Sequence, residues 1–418
     1  MLLTAPQQES GSLFGNSLAL SGARLAVGAP FVTVGGLARA GTVHVFEYQG
    51  GSWQHAAAVS PDVPVAEAWF GTVALQGNRL VAGASREVHS IGAQIIGALY
   101  VFDRDAITGI WQQKARLGPS DPIPSCIDPP WGCHLFGNSV ALDGDTVVAG
   151  APTENARTGA AYVFTRTPQD QWQLQARLTP GDPVSHTQFG NAIAIDGDTM
   201  LVGAHFRTIG SNDDQGAAYV YTRDSAGIWS QQARLVAGDG AAADIFGFSV
   251  DLDGDTALIG ARLADVGTSP NRGAAYVFTR TGTTWTQQAR LIASDGVGVS
   301  TGSDDGDHFG YRVRLRDGRA LIARHPGSGN IPAPDRNGAV YRFNDSAGGW
   351  TEQDHFTPTD GSPGDSFGAA LDFGRRWIAV GAQYEGTPPD EVEDRGVVHV
   401  YDTWPDDRIF ADGWEADR

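Results

Sequence analysis

Short apolar stretches separated by polar turns follow one another in the same order seven times along the chain. Each unit opens on Phe-Gly and continues with an apolar stretch such as NSVAL, a turn such as DGD and a second stretch such as TVVAGAP. A variable loop, a third stretch such as GAAYVF and a fourth such as WQLQARL complete the unit. Stretches of this length and composition, bounded by Gly, Asp and Pro, are typical of β-strands. Each unit therefore predicts four antiparallel strands.

The Phe-Gly dipeptides define the period of the repeat. They begin at Phe14, Phe70, Phe136, Phe189, Phe246, Phe309 and Phe367. A regular spacing of this order indicates an array of supersecondary units. Seven units of four strands predict an all-β fold, a seven-bladed β-propeller of four-stranded antiparallel blades. We expect this single domain to cover residues 1–403 and a C-terminal tail to follow over 404–418.

The two ends of the chain compete for the last place in the ring. Leu3 stands eleven residues before Phe14, a spacing at which a fourth strand ends in other repeats. The first residues should therefore pair with GVVHVYD near the other end and close the ring. The alternative is WPDDRIF, in which Trp404 precedes Phe410 by six residues. Pro405 counts against it, because proline cannot donate to a β-ladder.

Turns and glycines predict how the blades are joined. Asp-Gly at Asp143, Asp196 and Asp253 is typical of a two-residue hairpin, since glycine accepts the positive φ of such a turn. The glycine after each Phe leaves no room for a side chain and indicates close packing between neighbouring blades.

Aromatic residues recur at fixed places in the predicted strands. A tryptophan lies six residues before the apolar end of six fourth strands, and this even spacing puts both residues on one face. These residues are Trp53, Trp111, Trp172, Trp229, Trp285 and Trp350. We interpret them as packing residues, and likewise His44 and His399, which occupy matching places in third strands.

Composition narrows the classes of partner. The chain holds 55 Gly and 22 Pro among 418 residues, which fits many short strands joined by turns. Its net charge of −19 disfavours binding to nucleic acid and to anionic membranes. No apolar run approaches the roughly 18 residues of a membrane span. The N-terminal MLLTAPQQESGS lacks the pattern of a signal peptide, so an exported protein would have lost its leader from this sequence.

The two cysteines lie close together in CIDPPWGC. A disulfide between Cys126 and Cys133 is the favoured interpretation and indicates an oxidising compartment. The alternative is a pair of free thiols in a cytosolic protein.

Phe-Gly followed about thirteen residues later by Gly-Ala-Pro resembles the FG-GAP repeat of integrin alpha propellers and of many exported bacterial proteins. The motif is intact at residues 28–30 and 150–152. Elsewhere the proline position holds Ser85, His205, Arg262 or Gln383, and the sixth motif is aligned as Arg324, His325, Pro326. The resemblance covers nearly the whole chain. It implies an extracellular or periplasmic binding or cell-adhesion protein.

Calcium-binding members of that family carry an Asp-rich loop between the two motifs. Here LDGDT and its equivalents are too short to offer six or more oxygen ligands, so the aspartates are expected to serve the turn and no cofactor is predicted. Calcium stays an alternative at GSDDGDHFG, with Asp304, Asp305 and Asp307. The favoured interpretation of that segment is a solvated acidic loop.

The two faces of the predicted ring differ. Links between strands one and two and between three and four emerge on one face, here called the first face. The remaining links emerge on the other, the second face, and include the expanded segments 117–136 and 291–309. Long loops on a rigid scaffold commonly bind ligands. The candidates there are Trp131, His134, His205, His325, Asp304, Asp305 and Asp307.

No catalytic motif stands out among the histidines, serines and cysteines. We therefore expect a non-catalytic module that binds a protein or carbohydrate ligand on the second face. One alternative is a polysaccharide hydrolase or lyase that uses His205 and His325, which lie at neighbouring motifs, in the central funnel. The other is a structural envelope protein.

Overall fold

The computed structural model describes residues 1–7, 9–88, 95–119, 134–296, 306–325, 338–358, 364–385 and 395–402. The regular structure of these residues consists of seven four-stranded antiparallel sheets, the blades, and one short helical segment. The prediction of an all-β propeller is confirmed.

Six blades are each made of four consecutive strands, and β1 (Leu2–Leu3) precedes them. Blade 1 contains β2 (Ser17–Ser21), β3 (Arg24–Ala29), β4 (Thr42–Gln49) and β5 (Ser52–Val59). Blade 2 contains β6 (Phe70–Gln76), β7 (Arg79–Ala84), β8 (Ala98–Arg104) and β9 (Trp111–Leu117). Blade 3 contains β10 (Val140–Asp143), β11 (Thr146–Ala151), the helical segment α1 (Glu154–Arg157), β12 (Ala160–Arg166) and β13 (Trp172–Leu178).

The strands of the next three blades follow in the same order. Blade 4 contains β14 (Ile193–Asp196), β15 (Thr199–Ala204), β16 (Ala217–Arg223) and β17 (Trp229–Leu235). Blade 5 contains β18 (Phe246–Asp253), β19 (Thr256–Ala261), β20 (Ala274–Thr281) and β21 (Thr284–Leu291). Blade 6 contains β22 (Phe309–Arg316), β23 (Arg319–Arg324), β24 (Ala339–Ser346) and β25 (Gly349–Phe356).

Blade 7 joins the two ends of the chain. It contains β26 (Phe367–Phe373), β27 (Trp377–Ala382) and β28 (Val397–Asp402), and β1 supplies its fourth strand. Leu2 pairs with His399 and Leu3 with Val398. The predicted closure by the first residues is confirmed, while the competing segment around Trp404 lies outside the described residues.

The order of strands within a blade sets what each part of the ring exposes. First strands of neighbouring blades contact one another all round the ring, so they lie nearest the axis. The links on the first face contain two to six residues, and the links from the second to the third strand contain eight to fourteen. The predicted contrast between a trimmed first face and a long-loop second face is confirmed.

Glycines hold the blades together at the positions the motif marks. A Cβ on Gly203, in the second strand of blade 4, would lie 2.1 Å from the Gly247 carbonyl oxygen of blade 5. The corresponding distances from Gly28 and Gly150 to the next blade are both 1.9 Å. Only a residue without a side chain fits these approaches, which confirms the predicted close packing between blades.

The Asp-Gly turns also join neighbouring blades. Each is a two-residue hairpin, as predicted, with Asp143 opposite Thr146 and φ of +55° at Gly144. The aspartate also binds the turn of the next blade: Asp143 Oδ2 accepts a hydrogen bond from Gly197 N, just after β14, at 2.8 Å. Asp196 and Asp253 cap Gly254 N and Asp317 N, both at 2.6 Å. The aspartates thus serve the turn and stitch it to the following blade.

The predicted packing roles of the aromatic residues are confirmed. The tryptophans that open fourth strands pack on the core between their own blade and the preceding one. His44 and His399 are buried and lie edge-on to Phe14 and Phe367, with ring centroids 5.6 and 5.2 Å apart.

The alignment of the sixth motif is one residue wrong. Phe309 pairs with Arg324 as Phe246 pairs with Ala261, so Arg324 stands at the alanine position. The sixth motif is therefore Ala323, Arg324, His325, and His325 takes the place of the proline.

Candidate functional site

Several predicted site residues cannot be placed. Trp131, Asp304, Asp305, the cysteine pair Cys126 and Cys133, and the tail 404–418 lie outside the described residues. The remaining candidates, His134, His205, His325 and Asp307, lie in three different environments.

His134 belongs to a buried polar cluster of blade 3. Its Nδ1 lies 3.3 Å from Glu154 Oε2, which also accepts a hydrogen bond from the Tyr162 hydroxyl at 2.7 Å. Arg177 donates to the other carboxylate oxygen. Burial raises the pKa of Glu154, but the hydrogen bonds from His134, Tyr162 and Arg177 outweigh it and hold that pKa below its usual value.

The same cluster recurs in other blades, which identifies it as part of the scaffold. A tyrosine or histidine in the third strand contacts a carboxylate in six blades. The pairs are Tyr100 with Glu87, Tyr162 with Glu154, Tyr219 with Asp182, Tyr276 with Asp239, Tyr341 with Asp295, and His399 with Glu385. In four of these blades, an arginine of the fourth strand, such as Arg116 or Arg290, neutralises the carboxylate.

Asp307 is buried close to the Arg324 guanidinium. Its Oδ1 lies 4.0 Å from Arg324 Nη1. The positive charge of Arg324 compensates a carboxylate that would otherwise be costly to bury.

His205 and His325 contribute to a continuous group of rings and cations at the inner edge of the second face. We call it the rim cluster; it consists of His205, Phe248, Arg262, Tyr311, Arg312 and His325. His205 and His325 follow the second strands of blades 4 and 6, and Arg262 follows that of blade 5. The remaining three members lie near the starts of the first strands β18 and β22. These strand ends meet near the axis, so the fold assembles the cluster from three consecutive blades.

The rings of the rim cluster contact one another in sequence. The His205 and Phe248 centroids are 5.5 Å apart and nearly perpendicular, and Phe248 lies 5.4 Å from Tyr311. Tyr311 stacks on His325 at 4.3 Å. The expectation that the two histidines lie at neighbouring motifs is wrong, because blade 5 separates them and its Phe248 helps to connect them.

Two guanidinium groups lie over these rings. The Arg262 Cζ is 4.6 Å from the Phe248 centroid, and the Arg312 Cζ is 4.9 Å from that of Tyr311. Such cation–π contacts orient the guanidinium planes and are stronger where water is excluded. Both phenyl-type rings and both arginines remain partly exposed.

The rim cluster combines the positive charges of Arg262 and Arg312 with a neutral His205. Burial, reinforced by the positive charge of Arg262, lowers the pKa of His205 to about 3. Burial also lowers the pKa of Arg312, and the neighbouring Arg314 adds to this effect. Arg314 itself lies 3.4 Å from Asp372 Oδ1, so its charge is balanced.

The rim differs elsewhere around the ring. Asn16 Nδ2 donates to Gln383 Oε1 at 2.7 Å, and Asn138 Nδ2 to Asn191 Oδ1 at 3.5 Å. Among the described residues, large rings and arginines at the positions after Phe-Gly and after Gly-Ala occur only in blades 4–6. Sequence reasoning found the two histidines but missed Phe248, Tyr311, Arg262 and Arg312. The signal for Phe248 and Tyr311 was a departure from Asn after Phe-Gly, and that for Arg262 a departure from Pro after Gly-Ala. Arg312 lies one residue further along, where most other repeats hold Ser or Ala.

Two other kinds of site are absent from the part of the chain that the structure describes. No group of three or more His, Cys, Asp or Glu side chains there is arranged to hold a metal ion. No helix within the same ranges has the length and hydropathy needed to cross a bilayer.

Four segments of the chain match the family model described as FG-GAP repeat. They cover residues 133–164, 172–221, 229–278 and 350–401. The last three each begin on the fourth strand of one blade and end on the third strand of the next. No curated protein matches the chain.

Proposed function

We propose, on the premise that this chain is an FG-GAP repeat propeller, that it is a non-catalytic binding module whose ligand seats on the rim cluster. The observation that carries the proposal is the placement of partly exposed rings and arginines at the axis, where the other blades carry small or amide residues. Concave sites lined by aromatic side chains with a few polar groups are the usual form of a ligand site.

The ionisation of His205 supports binding rather than catalysis. General acids and bases work best when their pKa lies near the operating pH. Burial leaves the pKa of His205 at about 3, so this imidazole is neutral at pH 7 and is too weak a base for efficient proton transfer. In this proposal the ring of His205 supports Phe248 from the side.

The proposed setting is extracellular or at the cell envelope, where proteins of this repeat family are typically found. Adhesion is the wider role we assign to the module. Its rigid ring and trimmed first face would present the second face to a ligand on another surface.

The test is capture of a ligand from culture medium and envelope extract. We compare the protein with the double variant Phe248→Ala/Tyr311→Ala and with the control Ile107→Ala/Ile228→Ala. Ile107 and Ile228 are exposed in first-face links, 95% and 63% respectively, so the control removes apolar surface from the opposite face. Unfolding midpoints establish that both variants fold.

The proposal expects that the control captures the same ligand as the unmodified protein and that the rim variant captures none. Equal capture by all three proteins would refute the assignment of binding to the rim. An enzymatic turnover of captured polysaccharide that is abolished by His205→Gln would favour the hydrolase or lyase alternative.

A further inference from the structure

We propose that the rim cluster recognises a carboxylate-bearing sugar and that Arg312 pairs with its carboxylate. This inference rests on the proposed function and adds the chemical class of the ligand. It is carried by the position of Arg312 in the blade, by its contacts and by the two rings beside it.

Arg312 occupies a place that the scaffold fills with small residues. It pairs with Ala323, whereas Ser17, Ser249 and Ala370 pair with the motif glycine in their blades. In blades 1 and 5 the serine makes a hydrogen bond to the next blade. Blade 6 thus gives up a packing position to a long cationic side chain, and the fold alone does not require that exchange.

No carboxylate of the described residues pairs with the Arg312 guanidinium. In the part of the chain that the structure describes, its partners are the Tyr311 ring and the Tyr311 carbonyl oxygen, which accepts from Nη1 at 3.4 Å. Buried or partly buried guanidinium groups are ordinarily paired with an anion. Its neighbour Arg314 has such a partner in Asp372. A ligand carboxylate would complete the same arrangement for Arg312, in the bidentate geometry that guanidinium favours.

The two rings indicate what carries the carboxylate. Phe248 and Tyr311 lie 5.4 Å apart with planes at 44°. The parts of the two rings that His325, Arg262 and Arg312 leave exposed form a bent apolar wall beside the guanidinium. A sugar acid presents an apolar ring face and a carboxylate in one rigid unit, so it can cover the wall and reach Arg312 together. An acidic peptide side chain brings its carboxylate on a flexible stem and leaves the wall uncovered.

Calorimetric titration with trigalacturonic acid and with its methyl ester separates charge from shape, because the ester keeps the rings and removes the carboxylate. The proteins are the unmodified chain, Arg312→Gln and the control Arg280→Gln. Arg280 has a similar stacked geometry over Trp285 at 5.2 Å but pairs with Asp255 in a first-face turn. A tetraglutamate peptide is the third ligand, and unfolding midpoints check that each variant folds.

We expect the unmodified protein and Arg280→Gln to bind the acid at least about tenfold more tightly than the ester. Arg312→Gln should bind both forms equally. No binding of the acid, equal binding of acid and ester by the unmodified protein, or a preference that survives Arg312→Gln would overturn the inference. Arg312-dependent binding of tetraglutamate as tight as that of the sugar would overturn the sugar assignment. Loss of ligand capture by the Phe248 and Tyr311 variant, tested separately, would still support the proposed function in any of these cases.

Discussion

Gly203→Ala tests the tightness of the joint between blades 4 and 5. The new Cβ would lie 2.1 Å from the Gly247 carbonyl oxygen, whereas ordinary contacts begin at 3.4 Å. The obstacle is backbone of the next blade, so a side-chain rotation cannot relieve it and the two strands must separate by about 1 Å. Overpacking of this kind typically costs about 1–3 kcal/mol, and we expect the upper part of that range. Guanidinium unfolding monitored by tryptophan fluorescence measures the loss.

Gly118→Ala is the matched control. Like Gly203, Gly118 has no left-handed φ, but nothing lies within 4 Å of its added Cβ. Alanine should therefore leave stability unchanged or raise it by about 0.4–1 kcal/mol, because it lowers the conformational entropy of the unfolded chain. If Gly203→Ala costs no more than this control, the blades can move apart freely and our account of the motif glycines is wrong.

Four further predictions concern charge and ring closure. Burial holds the pKa of His205 at about 3 in the folded protein, against 6.5 in the unfolded chain, so stability present above pH 6.5 is lost as the pH falls. At pH 5 the loss should be about 2 kcal/mol, and urea unfolding of His205→Gln should not show it. Glu154→Gln should destabilise by about 2 kcal/mol or more because it unpairs a buried cluster, while Glu67→Gln, at an exposed site, should change the urea midpoint little. Leu3→Asp should destabilise the protein by about 3 kcal/mol or more and speed hydrogen exchange in β28. Unchanged exchange in β28 would contradict this prediction. Arg312→Gln should leave the unfolding midpoint equal or higher, since it removes a cation that pairs with no carboxylate of the described residues; a marked fall would indicate a structural role.

The fold was predictable because its signals are local and repeated. The second and third strands are mainly apolar, and most fourth strands alternate after a tryptophan. Each link from the first to the second strand carries a glycine, and seven copies make this pattern recognisable despite local departures. Closure was predictable for the same reason, since Leu3 keeps the spacing to Phe14 that other fourth strands keep to their next Phe.

The rim cluster was only half predictable because its members come from three blades. His205 stood out because it replaces the motif proline, and His325 because it lies within the sixth motif. Recognising Phe248 and Tyr311 as their neighbours requires the register of each first strand against its second. A bulge near the Phe-Gly of blades 5 and 6 shifts that register. Because the sequence does not show the bulge, the sixth motif was misaligned by one residue.

The buried carboxylate clusters were not predictable at all from the spacing of the repeat. Glu87 and Glu154 come from links between second and third strands, whereas Asp182 and Asp239 come from links between blades. Both sets accept hydrogen bonds from equivalent tyrosine hydroxyls and neutralise equivalent arginines. The same space is filled from different parts of the repeat, so no periodic alignment brings the residues into one column.

The offset between the matched sequence segments and the blades bears on how such a ring can change in evolution. A segment such as 229–278 carries the outer strand of one blade and the three inner strands of the next. Duplicating or deleting one such segment would therefore add or remove a whole sector while every remaining sheet kept four strands. The unit that is duplicated or deleted therefore spans the contact between two blades. The pairing of β1 with β28 shows that the first and last blades are joined in the same way.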